Sequence, residues 1–123
     1  MMSEQYMHSH LVGEVCILEW RTSHLDSSNT NEFKAQANAI IAASPKVILD
    51  LTGVTFIDSA GLGALLSLMR SLRERNGDFR LCCAAKAIQL LFDLVRINKI
   101  LDIHGTQEEA ITASTIIQIP CQP

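Results

Sequence analysis

A chain of 123 residues has room for one domain with its own core, so neither disulfides nor metals are needed to hold it together. Hydrophobic residues make up 48% and charged residues 19%, which marks a globular chain rather than a disordered one. The formal net charge of -3 argues against nucleic acid as the main partner, because phosphate binding needs a basic surface. Met1 to His10 is polar and lacks the basic-then-apolar order of a signal peptide. No apolar run approaches the roughly 20 residues of a membrane helix. The expectation is a soluble cytoplasmic protein with no membrane partner.

Taken in order, Val12 to Trp20 is apolar and partly β-branched and reads as a strand, with residues 1–10 before it as a loose terminus. Arg21 to Asn31 is rich in Ser, Thr, Asn and Asp, and reads as a loop ending in a helix cap. Phe33, Ala37, Ile40 and Ile41 then fall at helical spacing within Asn31 to Ala43, and Ser44-Pro45 stops the helix. Val47 to Leu51 is an apolar run broken only by Asp50, suited to a buried central strand. Thr52-Gly53 signals a turn, and Val54 to Asp58 leads into a second helix. That helix presents Leu62, Leu65, Leu66, Met69 and Leu72 on one side and Arg70, Arg73 and Glu74 on the other, until Asn76-Gly77 ends it.

Phe79 to Cys83 reads as a third strand, and Lys86 to Arg96 as a third helix with Ile88, Leu91, Phe92 and Val95 at i, i+3, i+4 and i+7. Ile100 to Ile103 is a short strand. Thr106 to Ala113 is a last helix, with Thr106 and Glu109 spaced as a capping box. Ile116 to Pro123 reads as a loose tail or an edge strand. The fold class is α/β: one domain over residues 1–123, with its core at about 12–113 and residues 114–123 loose. Its sheet is mixed and mostly parallel, with four to five strands and about four helices. Partners of such sheets meet the loops at the carboxyl ends of the strands, here Arg21 to Thr30 and Phe56 to Gly63.

The cysteines are Cys16, Cys82, Cys83 and Cys121, without a Cys-x-x-Cys pair. If Cys82 and Cys83 both lie on a strand they point to opposite faces, which suits neither a shared metal nor a disulfide. Reduced thiols packing as small hydrophobes are expected, with no metal and no cofactor. A thiol-redox enzyme ranks last among the functional readings, since the Cys-x-x-Cys spacing is missing.

The segment Phe56-Ile57-Asp58-Ser59-Ala60-Gly61-Leu62-Gly63 joins a strand to a helix start. Asp and Ser are ordinary N-caps there, and the glycines allow close packing. A nucleotide-binding turn fits poorly: Leu66 stands where the third glycine belongs, and Asp58 repels a pyrophosphate. A hydrolase elbow needs a glycine where Ile57 stands, and no His has a clear base role. A phosphoacceptor serine fits. A phosphate beside the positive end of a helix dipole is tolerated by the fold, but a partner docked over it is repelled.

Residues 47–63, Val47-Ile48-Leu49-Asp50-Leu51-Thr52-Gly53-Val54-Thr55-Phe56-Ile57-Asp58-Ser59-Ala60-Gly61-Leu62-Gly63, resemble the signature of STAS domains of the anti-sigma factor antagonist type. The likeness continues through Leu25-Asp26, Asn76 to Leu81, Ile88 to Leu91 and Gln107 to Ile111, covering about residues 12–111. The resemblance implies a binding module without catalysis. Its serine, here Ser59, is phosphorylated by an anti-sigma factor with a GHKL-type kinase fold. The unmodified form binds that kinase and frees a sigma factor, and a PP2C-type phosphatase resets the switch. Many members carry a second hydroxyl where this chain has Ala60, which leaves Ser59 as the motif's only acceptor.

The partner surface implied is Asp26, Ser27, Asp58, Ser59, Ala60, Gly61, Leu62 and Gly63. Asp58 is equally well explained as a cap, and Asp26 as an ordinary loop residue. Asp50 either faces the site or reaches solvent. His24 and His104 read as surface residues, and Trp20 as a packing residue. The alternative function is a STAS module with a structural or ligand-binding task in a transporter or signalling complex.

Overall fold

The computed structural model describes residues 6–116. The described residues open on a hairpin. Strand β1 (Met7–Val12) turns at Gly13, whose φ of +63° suits a residue without a side chain, into β2 (Val15–Trp20). After a two-residue strand β3 (His24–Leu25) come helix α1 (Thr30–Ile41), β4 (Lys46–Asp50) and a second two-residue strand, β5 (Phe56–Ile57). The rest is α2 (Ser59–Glu74), β6 (Asp78–Cys82), α3 (Lys86–Leu94), a 3-10 turn at Ile97–Lys99, β7 (Asp102–His104) and α4 (Gln107–Ile116).

The main sheet has the order β1-β2-β4-β6-β7, antiparallel at β1-β2 and parallel elsewhere. Strands β3 and β5 form a separate parallel pair. The mixed, mostly parallel α/β architecture is the one the alternation of strands and helices implies. The loose amino terminus is corrected for residues 7–10, which pair with β2 as part of β1, because Met7 is an apolar anchor only 2% exposed; residues 1–5 lie outside the described residues. The polar alternation His8-Ser9-His10 hid this strand, since it is an edge with solvent beside it. At the other end α4 reaches Ile116, with Ser114 buried, so residues 114–116 are helical; residues 117–123 lie outside the described residues.

The sheet is covered on both faces. Cys16, Leu18, Val47, Leu49, Phe79 and Leu81 point to one face and pack with Phe33, Ala37 and Ile41 of α1, Leu65, Met69 and Leu72 of α2, and Ile88 and Phe92 of α3. Trp20 is buried there, edge-on to Phe33 with ring centroids 5.2 Å apart, and its indole N–H donates to the His24 carbonyl at 3.0 Å. Val15, Ile17, Ile48 and Cys82 point to the other face, where Ala110 of α4 closes over them. Helix α3 ends earlier than its apolar spacing implies: Val95 is exposed, and Arg96 takes a left-handed conformation that breaks the helix.

Helix α2 stops at Asn76, at φ +60°, while the Gly77 N–H returns to the Leu72 carbonyl at 2.7 Å. Gly77 is needed for space: a Cβ there would lie 2.6 Å from the Pro45 carbonyl oxygen. At α4 the Thr106 hydroxyl accepts the Glu109 N–H at 3.1 Å, and the Glu109 carboxylate accepts the Gly105 N–H, a capping box displaced by one residue.

If β1 is part of the cooperative unit, Met7→Ala lowers stability by about 2–3 kcal/mol. Urea unfolding measures this as a lower midpoint at unchanged slope; a change below about 0.5 kcal/mol would restore the loose-terminus reading.

Candidate functional site

Strand β5 and the start of α2 lie beside β3, and this brings the two sequence-distant loops together. Asp58 is the N-cap of α2 with extended backbone (φ -103°, ψ -171°), and one carboxylate oxygen accepts the Gly61 N–H at 2.9 Å. Its other oxygen accepts the Ser27 N–H at 3.2 Å, and its own N–H donates to the Leu25 carbonyl at 3.4 Å. A single aspartate therefore caps the helix and ties down the Arg21–Thr30 loop.

Gly61 makes the approach possible. A Cβ on it would lie 2.1 Å from the Leu25 carbonyl oxygen and 2.8 Å from the Ile57 side chain, so only glycine fits. Gly63 is different: it is exposed, and a Cβ there would meet open space. Glycine inside a helix costs roughly 1 kcal/mol relative to alanine, and nothing within the chain requires it at that position.

Asp26 organises the facing loop. Its carboxylate accepts the Ser28 N–H at 2.9 Å and the Ser28 hydroxyl at 2.5 Å. The Ser28 hydroxyl holds the Asp26 carboxyl below the usual carboxylate range; partial desolvation opposes this, and the Ser28 N–H and His24 add to it. Asn29 stands at the N-cap of α1 but spends its side chain on the loop instead, accepting from the Asp26 N–H and donating to the His24 carbonyl. The loop is thus closed from within as well as by Asp58.

Ser59 is the first residue of α2 and is exposed, and its hydroxyl has no hydrogen-bond partner among the described residues. Ala60 and Leu62 are half-buried, and Leu62 packs on the core. Of the eight sequence-derived surface residues, Ser27, Ser59 and Gly63 are exposed; Asp26, Asp58, Ala60 and Leu62 are half-buried; and Gly61 is buried. The sequence reading missed Phe56, 53% exposed on β5 three residues before Ser59. Its signal was an aromatic at the first position of a two-residue strand, where the alternation sends Ile57 inward and Phe56 outward.

The carboxyl edge of the main sheet carries a second polar group. Asp50 is buried, and its carboxylate accepts the Thr52 N–H at 2.8 Å, the Thr52 hydroxyl at 2.6 Å and the Gln107 amide at 2.6 Å. It neither joins the Ser59 surface nor reaches bulk solvent. The expected opposite orientation of Cys82 and Cys83 is also corrected. The strand ends at Cys82, and Cys83 adopts φ +63°, so strand alternation does not apply to it. Burial and the neighbouring Cys83 thiol push the Cys82 thiol well up from its ordinary value, with Asp50 and Glu108 adding to the effect. His104 is half-buried beside Arg80, whose guanidinium lies 3.2 Å from its Nε2.

A model of the STAS domain family matches residues 8–110, and the chain belongs to that family. It is 28% identical over 102 residues to an anti-sigma-B factor antagonist of Listeria monocytogenes, covering 76% of this chain and 90% of that one. An anti-sigma F factor antagonist of Paenibacillus polymyxa is 25% identical over 71 residues, 58% of this chain and 61% of its own length. The crystal structure of a candidate anti-sigma factor antagonist from Thermotoga maritima superposes with a TM-score of 0.80 at 24% identity, over 89% of this chain and 94% of that one. Among the described residues no helix is long and apolar enough to cross a membrane.

Gly61→Ala should cost about 3 kcal/mol or more by overpacking against backbone that cannot move aside, whereas Gly63→Ala should stabilise by roughly 1 kcal/mol. Paired thermal or urea melts check the contrast. Equal effects at both positions would mean that α2 does not pack on β3 as described.

Proposed function

We propose that this domain is a cytoplasmic anti-sigma factor antagonist, a binding module without catalysis that is switched off by phosphorylation of Ser59. The observation that carries the reading is Ser59 itself: exposed, at the first position of α2, its hydroxyl unengaged, beside an aspartate whose carboxylate is already committed to capping. The naming of curated relatives as anti-sigma factor antagonists supports the same reading.

The unmodified surface docks on an anti-sigma factor that is also a serine kinase of the GHKL type, and so releases a sigma factor. Asp26, Ser27, Asp58, Ser59, Ala60, Leu62 and Gly63 form that surface, and Gly61 acts beneath it by letting α2 seat. Exposed Phe56 adds an aromatic contact at its margin. At Gly63 a partner's backbone can approach the helix closely, which gives that residue a use the isolated fold does not.

Phosphorylation adds about 1.5 to 2 negative charges at the helix start. The N–H groups of the first turn have no intrahelical acceptor, and the dipole favours an anion there, so the domain stays folded. A docked partner must desolvate that charge next to Asp58 and Asp26, and binding weakens. A PP2C-type phosphatase restores the unmodified form.

Ser59→Ala should bind the kinase yet never accept phosphate, and so act as permanently on. Ser59→Asp should fold normally and bind more weakly; a loss of about 100-fold corresponds to roughly 2.7 kcal/mol. Incubation with the kinase and ATP, intact mass, site mapping and titration of both forms test the switch. Phosphate on another residue, or equal affinity of the phosphorylated and unmodified forms, would overturn it. A domain that binds no such kinase and accepts no phosphate would instead be a structural or ligand-binding module of a transporter or signalling complex.

A further inference from the structure

One group of chemistry-bearing side chains lies outside the Ser59 surface. The Asp50 carboxylate and the Cys82 and Cys83 thiols each offer a ligand atom, and these atoms lie within 4.8 Å of one another. Asp50 and Cys82 end two neighbouring parallel strands and pair in register at the carboxyl edge of β4 and β6, and Cys83 follows directly. Adjacent cysteines converge here because the chain leaves the strand at Cys82 and turns left-handed at Cys83, where the Cys83 N–H bonds the His104 carbonyl at 3.1 Å.

We propose that Asp50, Cys82 and Cys83 form a binding site for a borderline-soft divalent metal ion of the Zn2+ type. Two sulfurs and one carboxylate oxygen are a ligand set such an ion accepts, and three protein ligands leave its fourth position to water. Tetrahedral Zn–S distances place two sulfurs about 3.8 Å apart, so the observed spacing needs only a small inward movement of the side chains. The carboxylate is held ready. Thr52 engages Oδ1 with two donors, while Oδ2 accepts only from Gln107 among the described residues and keeps a lone pair for a metal. Gln107 thereby orients the ligand from α4, the usual role of an outer hydrogen-bond partner. Cys83 is half-exposed and gives the ion a way in, while Cys82 is fully buried beneath α4. On binding, both thiol protons leave to solvent and two thiolate–metal bonds form. The site stands independently of the Ser59 switch and is read by a separate measurement.

The test is anaerobic titration of the reduced 123-residue chain carrying Cys121→Ser with Co2+ as the probe, followed by Zn2+. One equivalent of Co2+ should produce the near-ultraviolet thiolate-to-cobalt absorption and strong visible bands of four-coordinate geometry, and Zn2+ should remove both. Cys83→Ser should weaken or abolish the thiolate absorption. Asp50→Asn should retain sulfur ligation with affinity lowered at least about 10-fold, and Gln107→Leu should lower it by about 10-fold or more. Folding of each variant is checked by circular dichroism; should Asp50→Asn unfold the chain, Cys83→Ser at its half-exposed position and Gln107→Leu decide. No thiolate absorption at millimolar Co2+ in the folded reduced protein, or absorption unchanged by Cys83→Ser, would overturn the site.

Discussion

Strand β4 is buried over its whole length, from Lys46 to Asp50, and the rest of the molecule is arranged around it. Both its edges are paired, to β2 and β6, so its backbone groups are satisfied without water. Both its faces are covered, Val47 and Leu49 by the α1–α2 layer and Ile48 by α4. A strand with no free edge and no free face cannot shift register without turning its apolar residues to the wrong layer. Its carboxyl end is therefore a fixed point. Both polar constellations are launched from it: Asp50 at the strand end, and the Thr52–Ile57 connection that delivers Asp58 to the start of α2.

Asp58 shows how a rigid frame fixes the start of α2. Its two carboxylate oxygens accept from N–H groups on different elements, one on α2 and one on the β3–α1 loop. Charge-assisted bonds to backbone N–H groups are stronger than neutral ones, so this one side chain fixes the loop against the helix. Ser59 follows immediately and inherits the placement without contributing to it. A serine free of structural duties can be modified without a penalty to the fold, which is what a switch residue requires.

The same carboxyl edge carries two separate polar groups because the sheet has two sides. Residues that alternate along β4 and β6 send Asp50 and Cys82 toward α4, whereas the Ser59 surface stands at the end of the α1–α2 layer. Arg80 shows how charge is accommodated on the α4 side: it is buried, yet paired at 2.8 Å with both Asp78 and Asp102. Unpaired, such a guanidinium would carry a desolvation cost of several kcal/mol. Asp50 has no cation opposite it among the described residues and is held by three neutral donors instead, which leaves it free to face a metal.

The order of strands and helices was legible in the sequence because their apolar periods are strong: Val47 to Leu49 as a continuous run, and the Leu62–Leu72 stripe of α2. The Asp58-Ser59-Ala60-Gly61 segment was legible as a helix start because capping is local chemistry, and it drew attention to Ser59 through its family resemblance. Strand β1 was not legible, since His8, Ser9 and His10 look like a polar tail until β2 supplies hydrogen-bond partners. The resemblance put Ser27 and Asp58 on one surface, but the hydrogen bond that joins them and the outward turn of Phe56 were not legible, because both depend on the pairing of β3 with β5, whose partners lie 32 residues apart. The convergence of Asp50, Cys82 and Cys83 is likewise tertiary. Alternation along a strand predicts divergent cysteines, and only the left-handed turn at Cys83, beside a strand paired in register, brings them together. Local propensity and periodicity determined which elements form; register and loop closure, which are set by contacts between distant segments, decided which side chains meet.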